Sequence, residues 1–363
     1  MIKFVHIADL HLDSPFSGCS MQERSERRNE LKNALLSVVS YCLDSKTDLL
    51  LICGDLFDGD FAGRTTAVFV ADCLSKIPRT RVFITPGNHD PYCASSPYKY
   101  CNFPDNVHIF TGESLESVEI PELGCAVYGF GYTSQRMSEN PVLGIHPHNT
   151  SRINILMAHG DIDDVSSPYY NISSADIGNS GLDYVALGHI HKPSGLMHYG
   201  RTACAYSGCL VGRDFGECGT RGMIVGEIDV NGTKISYIPV SSTSYEEITV
   251  DITGKDLSTI ISETAEKCRD FSDKTRVRIV LCGERDNPIP LSEALLREYL
   301  PLLAGTEILD KTTEKLNYTE LMKEYSLRGA FARNLRPYLE SSDGSVREKG
   351  ILALKYGLEA LKK

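Results

Sequence analysis

Five hydrophobic runs of strand length along the chain are each followed at once by a cluster of polar residues. Two helix-length stretches lie between the first three runs, residues 22–44 and 64–76, and both repeat apolar residues at helical spacing. This order predicts a β-α-β-α-β arrangement, and hence an α/β fold with largely parallel strands. Because sites in such folds lie beyond the carboxyl ends of the strands, the five clusters are candidates for one functional site. The runs and the clusters that follow them are IKFVHIA before Asp9-Leu10-His11, DLLLIC before Gly54-Asp55, RVFIT before Pro86-Gly87-Asn88-His89-Asp90, INILMA before His159-Gly160, and DYVAL before Gly188-His189-Ile190-His191.

Metal-binding side chains are concentrated in these clusters. They mix imidazole, carboxylate and amide ligands without a thiolate, which points to Mn²⁺, Fe²⁺ or Zn²⁺ rather than to Ca²⁺ or a structural Zn²⁺. Asp55 has two carboxylate oxygens and can bridge two ions. Asp9 and His11 alternate with an apolar residue, as do His189 and His191, so at an extended strand end each pair points to one side. The candidate ligands are Asp9, His11, Asp55, Asn88, His159, His189 and His191.

Two divalent ions held by such a set would lower the pKa of a shared water and hold the attacking and leaving oxygens of a phosphoester. His89 lies beside Asn88 but is not needed as a ligand, which makes it the candidate to protonate the leaving alkoxide. Either Asp90 or Asp58 could fix the tautomer of His89. Taken alone, each cluster is as often an ordinary turn as a metal site. Five clusters in order, each at a strand end, favour the metal site. His6, inside the first run, is interpreted as a satisfied core histidine.

Composition and charge narrow the class of protein. The net charge is −11, so no global positive field attracts nucleic acid, and any affinity for phosphate must be local. The N-terminus lacks the pattern of a signal peptide, and no apolar run approaches the ~18 residues of a membrane span. The twelve cysteines include no C-x-x-C pair and are interpreted as reduced thiols. We therefore expect a cytoplasmic protein that does not enter a membrane.

The chain after residue 240 is organised differently. A short polar stretch, Ser241 to Ser244, is typical of a linker, and the pattern beyond it predicts a small α/β domain. That domain could serve the main site, or it could be a packing or dimerisation module, in which case the chain would form a homodimer. Its predicted elements are strands at 247–252, 276–282 and 307–310 and helices at 255–271 and 291–303.

Two further helical stretches end the chain, residues 317–339 and 345–361. The second repeats apolar residues at a coiled-coil-like spacing, and this stripe is expected either to pack on its own domain or to bind a partner. The stripe consists of Ile351, Leu354, Leu358 and Leu361. The predicted division is therefore a main domain at 1–243, a small α/β domain at 244–312 and a C-terminal helical segment at 313–363.

The five clusters resemble the five signatures of the calcineurin-like metallophosphoesterase superfamily. Within it, the chain is similar to the SbcD-type DNA repair nucleases, and most to their bacterial YhaO-like branch, through FVHIADLHLDSPF, ALGHIHKP and GRDFGECGTRG. The likeness covers about residues 1–245. The signatures are Asp9-x-His11, Gly54-Asp55-x-x-Asp58, Gly87-Asn88-His89-Asp90, His159-Gly160 and Gly188-His189-x-His191.

The resemblance implies a four-layer α/β/β/α metallophosphoesterase sandwich with a small α/β capping domain and a helical C-terminal tail. It implies Mn²⁺ as the working metal and His89 as the catalytic histidine. Archaeal and eukaryotic members carry a second histidine where this chain has Asp58, so a two-histidine mechanism is not transferred. The implied ligands are Asp9, His11, Asp55 and His191 for one ion, and Asp55, Asn88, His159 and His189 for the other.

The implied partners are DNA, admitted by the capping domain, and a coiled-coil ATPase subunit of the SbcC-like or YhaN-like type, bound by the C-terminal helices. The predicted function is thus a cytoplasmic, Mn²⁺-dependent DNA exonuclease or endonuclease, the nuclease subunit of a repair complex. A second hypothesis is a phosphoesterase for a small phosphodiester, such as a cyclic nucleotide or a nucleotide-sugar lipid, which the metal ligands do not separate from the first. A third hypothesis is a metal-binding scaffold for the ATPase. The complete ligand set and His89 stand against it.

Overall fold

The computed structural model describes residues 1–17, 19–137, 142–147, 149–241, 243–285, 292–300, 303–315 and 317–361. The chain forms two compact units. One contains residues 1–246 with 273–276, and the other contains residues 247–272 with 277–363. The segments 244–312 and 313–363, which we distinguished in the sequence, thus lie almost entirely in the second unit.

The first unit begins with a strand and a long helix, as its apolar pattern predicts. Ser20 precedes the helix and caps it, accepting a hydrogen bond from the N–H of Glu23. Single-turn 3₁₀ helices lie at Gly59–Phe61 and Pro97–Lys99. The elements are β1 (Ile2–Ile7), α1 (Met21–Ser45), β2 (Leu49–Cys53), α2 (Arg64–Ser75), β3 (Arg81–Thr85), β4 (Val107–Ile109), β5 (Glu116–Ile120), β6 (Cys125–Gly129), β7 (Ile153–His159), β8 (Asp161–Ile162), β9 (Asn171–Ile172), α3 (Ser174–Asn179), β10 (Tyr184–Gly188), β11 (Met197–Tyr199), β12 (Thr202–Tyr206), β13 (Gly222–Asp229) and β14 (Gly232–Pro239).

Within the described residues these strands form two six-stranded sheets. The first has the order β14-β13-β1-β2-β3-β4, and the second has the order β11-β12-β10-β7-β6-β5. Strands β1 to β4 are parallel to one another, as are β6, β7, β10 and β12. The five predicted strands are confirmed as β1, β2, β3, β7 and β10. They occupy neighbouring central positions, three in one sheet and two in the other, so their carboxyl ends lie close together.

The two sheets pack face to face. Phe4, Leu51 and Phe83 of the first sheet are buried in one cluster with Met157 and Tyr184 of the second. Strand β2, with the sequence LLLIC, is buried along its whole length, as expected of a parallel strand covered on both faces.

Helical cover of the two outer faces is unequal. Leu31 and Val38 of α1 and Val70 of α2 are buried against the outer face of the first sheet. On the outer face of the second sheet, Ile177 of the six-residue α3 shares the cover with loop residues such as Tyr132. The mixed α/β sandwich expected from the sequence is therefore present, with a fourth layer built largely from loops.

The second unit contains a three-stranded sheet, β15-β16-β18, with a buried core that includes Val250, Ile260 and Ile279. The helix predicted at 291–303 is seen as a shorter segment, and residues 291, 301 and 302 lie outside the described residues. The elements are β15 (Ser244–Asp251), α4 (Leu257–Lys267), β16 (Thr275–Cys282), β17 (Glu284–Arg285), α5 (Glu293–Tyr299), β18 (Gly305–Asp310), β19 (Thr313–Glu314), α6 (Tyr318–Leu321), α7 (Leu327–Leu339) and α8 (Gly344–Ala360).

The C-terminal stripe faces its own unit. Leu354 and Leu358 of α8 are buried in a cluster with Leu339 of α7, and Ile351 packs against the same cluster. Leu361, the last member of the stripe, is 38% exposed. Most of the stripe therefore serves self-packing. Partner binding by the C-terminal segment remains a prediction.

Two further sequence expectations bear on the chain's surroundings. In the part of the chain that the structure describes, no helix combines the length and apolar character needed to cross a membrane. All twelve cysteines lie in that part, and each is a thiol rather than half of a disulfide, as expected for reduced cysteines.

Candidate metal centre

The polar clusters that follow the five strands come together at one end of the two sheets. The N–H of Asp9 donates to the carbonyl of Gly54 at 3.1 Å, and the N–H of His11 donates to the carbonyl of Asp55 at 2.9 Å. The N–H of His189 lies 3.2 Å from both carboxylate oxygens of Asp9. Backbone hydrogen bonds thus connect loops from both sheets and fix the candidate ligands in one site.

The backbone of four candidate ligands adopts left-handed conformations. The φ angles are 53° at Asp9, 48° at His11, 51° at Asp55 and 96° at His189. The expectation that an extended strand end orients Asp9 and His11 is therefore wrong, although both side chains reach the same site. Non-glycine residues rarely adopt such angles, and strain of this kind is concentrated at functional sites. Here the bonds between the loops hold the backbone in place.

Two glycines of the clusters allow the ligands to approach one another. A Cβ atom at Gly54, where φ is +83°, would lie 2.2 Å from Nδ1 of His159. A Cβ atom at Gly87 would lie 2.2 Å from Oδ1 of Asp55. Any larger residue at either position would displace a candidate ligand.

One group of ligand atoms gathers around Asp9. Its Oδ1 lies 3.8 Å from Nε2 of His191, and the Nε2 atoms of His191 and His11 lie 3.3 Å apart. Oδ2 of Asp55 lies 3.7 Å from Nε2 of His11. These four residues are the set expected for one ion. All but His191 are almost fully buried.

A second group gathers around His159. Its Nδ1 donates to the carbonyl of Cys53 at 2.9 Å, which leaves Nε2 of the neutral ring with a lone pair. That nitrogen faces Oδ1 of Asn88 at 2.9 Å and Oδ2 of Asp55 at 3.3 Å, and Nδ1 of His189 lies 3.2 Å from the same Asn88 oxygen. Lone pairs that converge in this way are satisfied by a proton or by a cation. The donor set therefore fits a divalent metal ion, with Asp55 shared between the two groups.

The electrostatics of the buried residues agree with this fit. Burial raises the pKa of the Asp9 carboxyl to about 6, against the opposing effect of His159. Burial also opposes ionisation of Asp55, but the charge of His159 and their hydrogen bond outweigh it and hold the pKa of Asp55 well below its usual range. Burial lowers the pKa of His189 to about 4 and that of His11 well below its usual value, so both rings are neutral near pH 7. Neutral imidazoles keep the lone pairs that a metal ion needs.

His89 stands at the edge of this group with its side chain half exposed. Its Nδ1 lies 3.5 Å from Oδ1 of Asp58, and its ring packs edge-on to His11 at 4.8 Å between centroids. The contact with Asp58 raises the pKa of His89 and so favours the protonated ring. Of the two carboxylates proposed to orient His89, Asp58 is the one placed to do so.

Asp90, the other candidate, has a different role. It is fully buried, and its carboxylate accepts from the N–H groups of Gly87 at 2.6 Å and Asp55 at 3.2 Å and from the hydroxyl of Tyr98 at 2.6 Å. These contacts hold the loops that carry the ligands. Asp90 therefore supports the backbone of the site rather than the His89 ring.

The sequence analysis missed a carboxylate that supports a ligand. Oε1 of Glu217, a buried residue, accepts from Nδ1 of His191 at 2.6 Å, which directs Nε2 of His191 into the site. Glu217 also pairs with the guanidinium of Arg213 at 2.9 Å, and the N–H of Arg213 donates to Glu217 Oε2 at 2.7 Å. Both residues lie in GRDFGECGTRG, a stretch that we recognised only as part of a resemblance. Asp161 lies similarly behind His189, with Oδ2 3.4 Å from Nε2 of that ring.

His6 is the control among the histidines. Its Nε2 donates to the carbonyl of Leu187 at 3.1 Å, and its Nδ1 accepts from the hydroxyl of Tyr184 at 3.0 Å. Burial lowers the pKa of His6 to about 3, so the ring is neutral. Both ring nitrogens are satisfied by the second sheet, which confirms His6 as a core residue.

Comparison with known proteins identifies relatives of this chain. A model of the family described as calcineurin-like phosphoesterase matches residues 2–193, which include all seven candidate ligands. The uncharacterized metallophosphoesterase YhaO of Bacillus subtilis is 28% identical over 298 residues, covering 78% of this chain and 72% of that protein. The DNA double-strand break repair protein Mre11 of Saccharolobus solfataricus is 23% identical over 319 residues, covering 83% and 80%. The SbcD subunit of the nuclease SbcCD of Bacillus subtilis is 25% identical over 260 residues, covering 60% and 64%. The chain belongs to the calcineurin-like phosphoesterase family and is a metallophosphoesterase.

Proposed function

We propose that this chain hydrolyses phosphodiester bonds in DNA, with two divalent ions, Mn²⁺ in the working enzyme, and His89 as the proton donor. The observation that carries the proposal is the placement of His89. It is half exposed, it is oriented by Asp58, and it lies against the ligand His11 without belonging to the ligand set. A group in this position can reach a substrate that the metal centre holds.

Each of the two groups of donors would hold one ion, and Asp55 would serve both. When bound, the ions lower the pKa of a shared water and neutralise charge on the phosphate. The ligands proposed for one ion are Asp9, His11, Asp55 and His191, and those for the other are Asp55, Asn88, His159 and His189.

The remaining chemistry belongs to the side chains around the centre. Asp58 accepts from Nδ1 of His89, so the Nε2 proton of the charged ring is available to the leaving oxygen. Transfer of that proton lets the leaving group depart as an alcohol rather than as an alkoxide. Arg213, whose guanidinium lies 3.2 Å from Nδ1 of His191, adds positive charge that suits a phosphate anion.

DNA is favoured over a small phosphodiester by the nature of the relatives. One is named a DNA double-strand break repair protein and another a component of a nuclease. We infer that this chain also works with a second protein, a coiled-coil ATPase of the SbcC-like or YhaN-like type, in the cytoplasm. Because the net charge is −11, its hold on DNA must come from the metal centre and local cations.

The proposal is tested with the purified chain and Mn²⁺, by measuring product release from end-labelled single-stranded and duplex DNA beside bis-p-nitrophenyl phosphate. We expect cleavage of all three, loss of cleavage on chelation, and strong loss of DNA cleavage in His89→Ala. His198→Ala, which removes an exposed histidine of β11, is the matched control and should behave as the wild type. Cleavage of the small ester with intact DNA would favour the small-substrate hypothesis. Two bound ions without any hydrolysis would favour the scaffold.

A further inference from the structure

A cavity of about 330 Å³ opens beside His89 within the first unit. Its walls come from the loop after β3, which carries His89, Ser95 and Ser96, and from the loop after β6, which carries Thr133 and Ser134. The function described above assigns no role to this space.

Backbone hydrogen bonds hold the two loops together. The N–H of Tyr92 donates to the carbonyl of Tyr132 at 2.7 Å, and the N–H of Tyr132 donates to the carbonyl of Pro86 at 3.1 Å. Tyr132 itself is almost fully buried. The cavity is therefore framed by loops that are fixed next to the metal centre.

Small polar side chains line the cavity. Ser95 and Ser134 are exposed on opposite walls, and the Sγ of Cys93 contacts the Ser95 hydroxyl at 3.4 Å. The buried Oγ of Ser96 has no hydrogen-bond partner among the described residues. Short hydroxyl-bearing residues leave room for a ligand and offer it hydrogen bonds. Such a combination is typical of a specific small-molecule subsite.

We propose that this cavity binds the nucleoside that carries the leaving oxygen, and that it admits this nucleoside only when unpaired. In an in-line displacement the leaving oxygen lies opposite the attacking water, beside the proton donor. The organic group attached to that oxygen must then extend past His89, which forms one wall of the cavity.

Volume sets the limit on what the cavity accepts. About 330 Å³ lies at the lower end of the range for ligand sites, roughly 300–1,000 Å³, and suits one nucleoside rather than a base pair. A duplex substrate must therefore fray or unstack its nucleotide at the scissile bond before cleavage. This inference rests on the proposed function, since it takes His89 as the proton donor, and it adds the substrate class that the leaving-group side selects.

The test fills the cavity from either wall with Ser134→Phe and, separately, with Ser95→Phe. The substrates are TpT, which releases thymidine, and bis-p-nitrophenyl phosphate, which releases a small activated phenol. We expect each variant to lower kcat/KM for TpT relative to the phenyl ester by about tenfold or more. Thymidine should inhibit the wild type competitively and these variants much more weakly. Ser37→Phe, which places the same ring on an exposed position of α1, should leave both readouts unchanged.

Both filling variants should retain wild-type melting temperature and Mn²⁺ binding, which separates loss of the subsite from loss of the fold. Unchanged TpT selectivity and unchanged thymidine inhibition in both variants would overturn the subsite alone. A wild type that cleaves blunt duplex DNA as fast as single strands would overturn the requirement for an unpaired nucleoside. A wild type that cleaves none of these substrates would overturn the proposed function, and the subsite with it.

Discussion

Oε1 of Glu217 lies 2.6 Å from Nδ1 of the metal-ligand candidate His191, although 26 positions separate the two residues in the chain. The carboxylate fixes the tautomer and the orientation of the ring, and it increases the basicity of the nitrogen that faces the site. Glu217 is in turn held by Arg213. Support of this kind should appear in the strength of metal binding rather than in the fold.

Glu217→Gln should weaken binding of one Mn²⁺ by about 10–100-fold, because the ring of His191 loses its charged partner. Glu217→Ala should weaken it further. The measurement is Mn²⁺ titration by calorimetry, with Glu122→Gln, a change at an exposed residue, as the control. Wild-type affinity in Glu217→Ala would exclude the positioning role.

His89→Ala should leave metal content intact and reduce turnover of DNA by about 10²–10⁴-fold, because it removes a proton donor and not a ligand. The loss should be smaller for bis-p-nitrophenyl phosphate, since p-nitrophenol departs without protonation. Steady-state kinetics on both substrates check this, and equal losses would show that His89 does not protonate the leaving group.

Asp55→Ala should disturb both ions, whereas His159→Ala should weaken one selectively. Asp55 contacts donors of both groups, with Oδ2 3.7 Å from His11 Nε2 and 3.3 Å from His159 Nε2. Metal content after dialysis, measured by atomic emission, distinguishes the two variants. An Asp55→Ala protein that retains two tightly bound ions would contradict a shared ligand.

Leu354→Ala should lower the free energy of unfolding by about 2–5 kcal/mol, because Leu354 is 1% exposed in the cluster between α7 and α8. Leu352→Ala, on the same helix at 51% exposure, should change it by no more than about 0.5 kcal/mol. Denaturant unfolding of the full chain gives both values. If Leu354→Ala left stability unchanged but abolished binding to a coiled-coil ATPase, the stripe would be a docking surface instead.

The ligands could be predicted because each signal is local: an apolar strand followed by a polar cluster. The left-handed backbone at Asp9 and His11 could not, since it depends on hydrogen bonds to a loop distant in the chain, at Gly54 and Asp55. Glu217 escaped detection for the same reason, because no spacing rule relates it to His191.

Strand β14 was missed because its residues alternate in exposure and form no apolar run. The predicted helix at 317–339 is two helices, since Ser326 caps a new helix by accepting from the N–H of Gly329. A capping serine within a run of helix-forming residues is a weak sequence signal. The choice of Asp58 over Asp90 as the partner of His89 likewise required the folded loops.

The most direct test of the metal centre is anomalous diffraction at the manganese edge from crystals grown with Mn²⁺. We predict two anomalous peaks, one contacted by Asp9, His11 and His191 and the other by Asn88, His159 and His189, with Asp55 bound to both. A single peak, or two peaks with Asp55 bound to neither ion, would contradict the assignment of this site as a two-metal phosphodiesterase centre.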